Sequence, residues 1–344
     1  MISINVKQNE SGQRLDKLLM KTLKNAPASF VYKMLRKKNI TLNGKKAAGD
    51  EKVAVGDNIS FFFSDETFKK FSGTEEKKEN LGDSEIKDVN IPGLHKDEIV
   101  YEDSDILIVN KSAGELSQKA EKNDISINER IVSYLKSENI GVNEYFTPGI
   151  CNRLDRNTSG LIIAGKSLKG LQAASKAIKG HDLKKYYLCV AKGKITGNIK
   201  ISAWLKKDEK TNKVDVKDKE MPGYDEIKAE YFGLVTGKGY TLVAIRLITG
   251  KTHQIRAHLS YMGHPVIGDT KYGGRDTEFG YLKHQLLHAF MLKFNEIKEL
   301  PEISGKTVYS MPPREFEEIS VSLFGREEYI NAVMEFKRLK GLES

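Results

Sequence analysis

The 344 residues carry 56 Lys and Arg against 47 Asp and Glu, a net charge of +9, which suits a polyanionic partner without requiring one. Two cysteines, Cys151 and Cys189, exclude a disulfide framework, and no Cys/His cluster stands at zinc spacing. No stretch approaches the about 20 apolar residues of a membrane span, and the opening Met1-Ile-Ser-Ile-Asn-Val-Lys7 lacks the apolar centre of a signal peptide; the expectation is a soluble cytoplasmic protein in a reducing compartment.

The length allows one large core plus a small accessory domain. Residues 1–63 hold twelve Lys and Arg against five Asp and Glu, whereas residues 64–98 hold six against ten, so the basic excess is densest at the N-terminus. Leu15, Leu18, Leu19 and Leu23 recur at helical spacing and predict a helix over 14–24. Ser29 is placed to cap a second helix with Phe30, Val31, Met34 and Leu35 on one face and Lys33, Arg36 and Lys37 on the other. Ile40–Leu42, an Asn43-Gly44 turn, a Gly56-Asp57 turn and strand residues near Val53 and Ile59–Phe63 follow. A basic helix face is ordinarily just solvated. This order of elements, however, resembles the S4 RNA-binding domain, which implies that Lys33, Arg36, Lys37, Lys38, Lys45 and Lys46 contact phosphates and position the protein without reading sequence. Residues 64–98, polar apart from Phe68 and Phe71, read as a flexible, acidic tether.

The remainder, 99–344, opens with strands at Ile99–Glu102 and Ile106–Val109 around a Ser-Asp turn, then a helix over 125–138. Cys151 to Gly165 is a polar loop running into a short apolar strand, with Asp155 between Arg153 and Arg156. Arg-Leu-Asp carries no meaning alone, since Arg14-Leu15-Asp16 repeats it at the head of a helix. Ser167 caps a helix ended by Gly180, and Lys184–Gly193 alternates like a strand, putting Tyr186 and Tyr187 on opposite faces. Residues 196–236, with Trp204, predict two or three short strands of no legible function. Tyr240–Ile248 is a strand running into Thr249-Gly-Lys-Thr-His-Gln-Ile-Arg-Ala-His258. Gly250-Lys251-Thr252 cannot end a P-loop, because its first glycine would fall on Ile245. His253, His258, His264 and His288 lack an acidic or Cys partner at ligand spacing, so no metal is expected. Gly268–Gly273 is a tight turn, Leu287–Leu292 a strand or short helix, and 325–340 a terminal amphipathic helix.

Tyr101–Gly114, Arg153-Leu-Asp-Arg-Asn-Thr-Ser-Gly-Leu161, Lys185-x-Tyr187 with Gly193, Thr249–His258, Gly268–Gly273 and Leu287–Leu292 together resemble, in order and over nearly the whole chain, the RluA-type RNA pseudouridine synthases. Two departures stand out: the family often has His where this chain has Asn152, and Pro where it has Ser112. The resemblance implies an α+β fold, with a mixed, mainly antiparallel sheet, flanking helices and a central RNA-binding cleft behind a small S4-type domain. It implies Asp155 as the catalytic carboxylate, Arg256 as its ion-pair partner, Tyr187 as a pocket wall and Arg153 as the residue that fills the vacated stack or holds the backbone. A guanidinium beside a carboxylate favours its charged form, and a base taken out of its stack needs an aromatic wall. The implied reaction isomerises uridine to pseudouridine in RNA without metal or other cofactor, by a monomer. The nearest branch, RluC/RluD-like, points to large-subunit ribosomal RNA, with transfer RNA open. The rival reading is an S4-led ribosome-assembly factor that binds RNA without chemistry, and the intact set Arg153, Asp155, Tyr187 and Arg256 speaks against it. A hydrolytic glycosidase would show a pair of flanking carboxylates.

Overall fold

The computed structural model describes residues 2–7, 10–72, 91–121, 123–138, 140, 146–208, 211, 213–275 and 278–342. At the N-terminus come β1 (Ile2–Asn5), α1 (Leu15–Thr22), α2 (Ala28–Arg36), β2 (Ile40–Leu42), β3 (Lys45–Lys46) and β4 (Asn58–Phe61), all but the exposed β3 sharing one apolar cluster. The strands form an antiparallel sheet in the order β1-β4-β2-β3. The β2–β3 turn uses Asn43 and Gly44, both at positive φ, as a tight hairpin needs. Three expectations change. Strand β1 was not foreseen, Val53 is buried outside any strand, and α2 begins behind Pro27 with no side-chain cap, so Ser29 lies inside the helix.

The polar stretch expected as a tether from residue 64 is helical at its start. Helix α3 (Asp65–Ser72) turns Phe68 and Phe71 onto the N-terminal core, where Phe71 lies 4.4 Å from Phe30 and Phe68 5.1 Å from Phe61, centroid to centroid. Two aromatic rings three positions apart suffice to dock a short helix whose remaining residues are polar or charged. At the far end, Ile91 and Gly93 offer carbonyls to Ser133 and Arg130. The rest of the expected tether, 73–90, lies outside the described residues.

In chain order the larger unit contains β5 (Ile99–Glu102), β6 (Ile106–Lys111), α4 (Ile127–Ser137), β7 (Gly149–Ile150), β8 (Ser159–Gly165), α5 (Leu168–Gly180), β9 (Leu183–Lys192), β10 (Asn198–Asp208), β11 (Lys213–Lys217), β12 (Asp225–Gly237), β13 (Tyr240–Leu247), α6 (Gln254–Tyr261), β14 (Leu287–Phe294), β15 (Thr307–Tyr309), α7 (Arg314–Phe324) and α8 (Arg326–Leu342). Its strands make one sheet in the order β11-β10-β12-β13-β9-β14-β8-β6-β5, with β15 on β14 and β7 on β8. Every pairing is antiparallel except β14 with β8, so the mixed, mainly antiparallel α+β architecture is the one expected. Residues 196–236 give the three strands allowed for, but only β11 is short: β10 and β12 are eleven and thirteen residues long.

Strand alternation sorts the core. From β9, Tyr187, Cys189 and Ala191 face the layer holding α4 and α6, while Tyr186, Leu188 and Val190 face α7 and α8. Helix α5 covers β6 and β8 on the latter's other face through Ala173, Ala174 and Ala177. Helix α4 starts at Ser126, whose side chain forms a capping box with Glu129. Ser167 caps α5 by accepting from Gly170 N at 2.9 Å. The parallel seam is very close. A Cβ at Gly160, whose φ is +114°, would stand 2.3 Å from the Ala289 oxygen, so only glycine admits β14 against the start of β8. That seam carries the loop entering β8 into the middle of the sheet.

Candidate active site

The loop 151–158 is held by its own backbone before any side chain is considered. Ser117 accepts from Leu154 N at 2.9 Å and donates to Leu154 O at 2.7 Å, clamping the residue before Asp155 from both sides. Lys111, fully buried, donates to the carbonyls of Ser112, Glu115 and Arg156 at 2.7, 2.8 and 3.0 Å. Burial pulls the Lys111 pKa down to about 8, with Glu115 and Asp155 resisting the fall. Asn152, where the family often has His, accepts from Ile163 N at 2.8 Å and donates to Leu161 O at 3.3 Å. Its amide thus extends the ladder of β8 and ties the loop to that strand. Lys111 thus ties the Tyr101–Gly114 motif to the loop.

Asp155 emerges from this frame half-buried, with Oδ2 accepting from Arg256 Nη1 at 2.8 Å. Among the described residues nothing donates to its Oδ1. Arg256 comes from α6 and is itself fixed. Its Nε and Nη2 make a bidentate pair with Asp269, at 2.7 and 2.9 Å, and its guanidinium lies over the Tyr272 ring, 5.2 Å from the centroid. Burial works against that charge, but Asp269 and Asp155 together hold the Arg256 pKa above its ordinary value. Asp269 sits in the Gly268–Gly273 turn, fully buried, and also accepts from the backbone of Lys271 and Tyr272. A Cβ at Gly268 (φ +78°) would lie 2.2 Å from the His284 carbonyl, so the turn closes only with glycine there. Two carboxylates and a guanidinium thus form a line in which Asp269 aims Arg256 and Arg256 aims Asp155.

Helix α6 is set by the rest of its motif. Gln254 accepts from Thr249 Oγ1 and Lys251 N and donates to Lys228 O, at 3.0, 3.1 and 3.2 Å, which pins the helix start to β12. His253 precedes it in the left-handed region, its Nδ1 2.9 Å from the Tyr272 hydroxyl, and burial lowers its pKa. His258 meets Tyr231 Oη at 2.7 Å, and His288 lies between Ser159 and Ser310. Burial lowers the pKa of both to about 4, so they brace the core as neutral rings.

A cavity of about 650 Å³ opens over this line, and Arg153, Asp155, Tyr187 and Arg256 all border it. The four residues nominated from the sequence therefore meet, although 101 positions separate Asp155 from Arg256. Tyr187 is buried, and burial together with the Asp155 charge raises its pKa, which keeps the phenol neutral. Arg153 is exposed on the cavity rim with no ion pair among the described residues. Lys33, Arg36, Lys37, Lys38, Lys45 and Lys46 are all exposed on the N-terminal unit, from α2 to β3. No group of His, Cys, Asp and Glu able to hold a metal occurs among the described residues. Sequence reasoning missed Asp269, Ser117 and Gln254. A lone acid between glycines was the one available signal for the first.

Residues 105–261 match the family model of RNA pseudouridylate synthases. An uncharacterised RNA pseudouridine synthase of Mycoplasma genitalium is 30% identical over 302 residues, 85% of this chain and 89% of that protein. The ribosomal large subunit pseudouridine synthase C of Buchnera aphidicola is 29% identical over 316 residues, 90% of this chain and 93% of its own. Among solved structures, human RNA pseudouridylate synthase domain containing 4 aligns with a TM-score of 0.52 at 19% identity, over 65% of this chain and 91% of that one, a likeness of fold.

Proposed function

We propose, from the premise that the chain belongs to the RNA pseudouridine synthases and isomerises uridine to pseudouridine within RNA, that its target is large-subunit ribosomal RNA and that Asp155 performs the chemistry. The supporting observation is the Asp155–Arg256 pair at 2.8 Å on the wall of the cavity, with one carboxylate oxygen held and the other unoccupied by any described donor. A uridine inside a helix is out of reach, so the base is flipped into the cavity. Tyr187 then bounds the uracil, Arg153 at the rim fills the gap or grips the backbone, and Oδ1 of Asp155 faces the ribose. Arg256 keeps the carboxylate ionised and oriented as RNA shuts out water. The isomerisation consumes no oxidant, reductant or group donor, and in this reading the chain works without a cofactor, as a cytoplasmic monomer.

The N-terminal unit, with its antiparallel sheet, basic α2 and Asn-Gly hairpin, acts as an S4-type domain. Its six exposed cations grip phosphates and raise the local concentration of substrate at the catalytic unit. The large-subunit target rests on the full-length similarity to the Buchnera protein. Its test is pseudouridine mapping by carbodiimide adduct and primer extension of total RNA from cells with and without the gene. Loss of discrete marks in large-subunit RNA is the expected result, and loss confined to transfer RNA would overturn the target while keeping the reaction.

A further inference from the structure

One buried cation of the cavity has no assigned work. Lys185 is 9% exposed, borders the cavity, and among the described residues has neither a carboxylate nor a hydrogen-bond partner. The exposed rim residue Lys251, by contrast, pairs with Asp225 at 2.9 Å. An ammonium this far withdrawn from water is costly unless something polar meets it. The missing partner is therefore sought in what enters the cavity.

Register locates it. Tyr187 and Lys185 share one face of β9, about 7 Å apart along the strand. Tyr187 stands beside Ala289, which pairs with Gly160 at the end of the Asp155 loop. Lys185 stands beside Leu247, from which the Ile248–Lys251 turn leaves, and its Nζ lies 3.4 Å from where a Cβ on Gly250 would be. The Asp155 charge is felt at Tyr187, whereas burial alone shifts Lys185. The order across the cavity is thus Asp155, Tyr187, Lys185. With the ribose at Asp155 and the base along Tyr187, the far edge of the uracil reaches Lys185.

We propose that Lys185 is a catalytic residue whose ammonium donates a hydrogen bond to a carbonyl oxygen of the flipped uracil and stabilises the charge that the detached base carries. This rests on the pseudouridine synthase reading of the same cavity. When the N1–C1′ bond breaks, its electron pair stays with the base, and the negative charge spreads over N1, O2 and O4. Asp155 meets the electron deficiency left at C1′. The C5–C1′ bond then forms, the C5 proton is lost and N1 takes up a proton, so the atoms balance. A half-turn of the ring about the axis through N3 and C6 exchanges N1 with C5 and O2 with O4. One fixed donor therefore meets a carbonyl oxygen both before and after the turn, so it can stabilise the base at the bond-breaking and the bond-forming ends of the reaction. Charge aimed at a developing anion in a site shielded from water is among the largest catalytic effects available.

The test uses the full-length protein under single-turnover conditions on whichever RNA the wild type modifies, so a failed target assignment leaves it intact. Lys185→Met keeps the length and removes the charge. It should slow pseudouridine formation about a hundredfold with RNA affinity unchanged. Replacing the target uridine by 2-thiouridine or 4-thiouridine weakens one acceptor at a time. The thio-substitution that slows the wild type should slow Lys185→Met no further. Equal losses of rate and affinity would make Lys185 a phosphate contact and overturn the proposal, as would identical thio effects in both proteins. Should Lys185→Met unfold, Lys185→Gln, which keeps a neutral donor, should fall between Met and Lys in rate, and a wild-type rate for Gln would count against the proposal.

Discussion

The same tripeptide, Arg-Leu-Asp, occurs twice in this chain and is used in two opposite ways. At the N-terminus Arg14 turns back on Asp16, with Nε and Nη2 at 3.1 and 2.8 Å, and Tyr32 Oη donates to the same carboxylate at 2.8 Å. Both oxygens of Asp16 are taken, its side chain is 3% exposed, and the Arg14 hydrogen bond leads the contacts that hold its pKa below the ordinary value. In the catalytic unit Arg153 turns outward and leaves Asp155 to Arg256, which binds one oxygen only and leaves the side chain 24% exposed. A saturated carboxylate joins elements of a fold, and a half-satisfied one held rigidly at a cavity can react. What separates them is the partner: two residues away in one case, on another element and aimed by a second acid in the other.

The largest expected effect breaks the catalytic half of the comparison. Asp155→Asn should leave no measurable pseudouridine, with fold and RNA binding intact by thermal melting and filter binding. Loss of binding in proportion would recast Asp155 as a loop strut. Next comes Asp269→Asn, which touches no substrate. It loosens the guanidinium that orients Asp155, so single-turnover rate should fall about a hundredfold while RNA affinity holds. A rate within a few-fold of wild type would show that Arg256 needs no second acid.

Acid should then separate the two units. His258 and His288 are buried and neutral, with pKa near 4. The unfolded chain therefore binds protons that the native one does not, and stability of the catalytic unit is lost as pH falls from about 6.5 toward 4. Asp16 has a depressed folded pKa. Its contribution is fully present above about pH 4, the unfolded carboxylate value, and fades only below it. Hydrogen exchange at pH 7 and pH 5, corrected for intrinsic rates, should show the catalytic unit loosening first and the N-terminal unit unchanged. Simultaneous loosening would contradict the assignment. The smallest effect is Asp16→Asn, which should cost about 1–2 kcal/mol of N-terminal stability and leave turnover on bound RNA alone.

Much of this site was legible because its chemistry is written in contiguous motifs. Asp155, Arg256 and Tyr187 were nominated through the resemblance that those motifs carry, and strand alternation then set Tyr187 apart from Tyr186. Asp269 was not, because an acid in a glycine-flanked turn reads as turn chemistry until the fold sets it under Arg256. Ser117 was equally silent, since a serine's use as a backbone clamp depends on a loop 37 positions away. In the N-terminal unit, α3 was hidden by its charge. Only Phe68 and Phe71 mark it, and their worth depends on rings contributed by α2 and β4. The strands of 196–236 read as short because their outer face is charged, yet β10 and β12 run long, and their inner residues Ala203, Leu205 and Ile227 pack with Ala257 of α6. In each failure the missing information was a tertiary partner, not a local preference.

One side-by-side measurement bears most directly on the claim that Asp155 and not Asp16 carries the reaction. Asp155→Asn and Asp16→Asn are each saturated with the same substrate RNA, bound fraction and pseudouridine yield being read from the same tubes. Wild-type binding with no pseudouridine for Asp155→Asn, and a wild-type yield per bound RNA for Asp16→Asn, is the expected result. Pseudouridine formed by Asp155→Asn would contradict it.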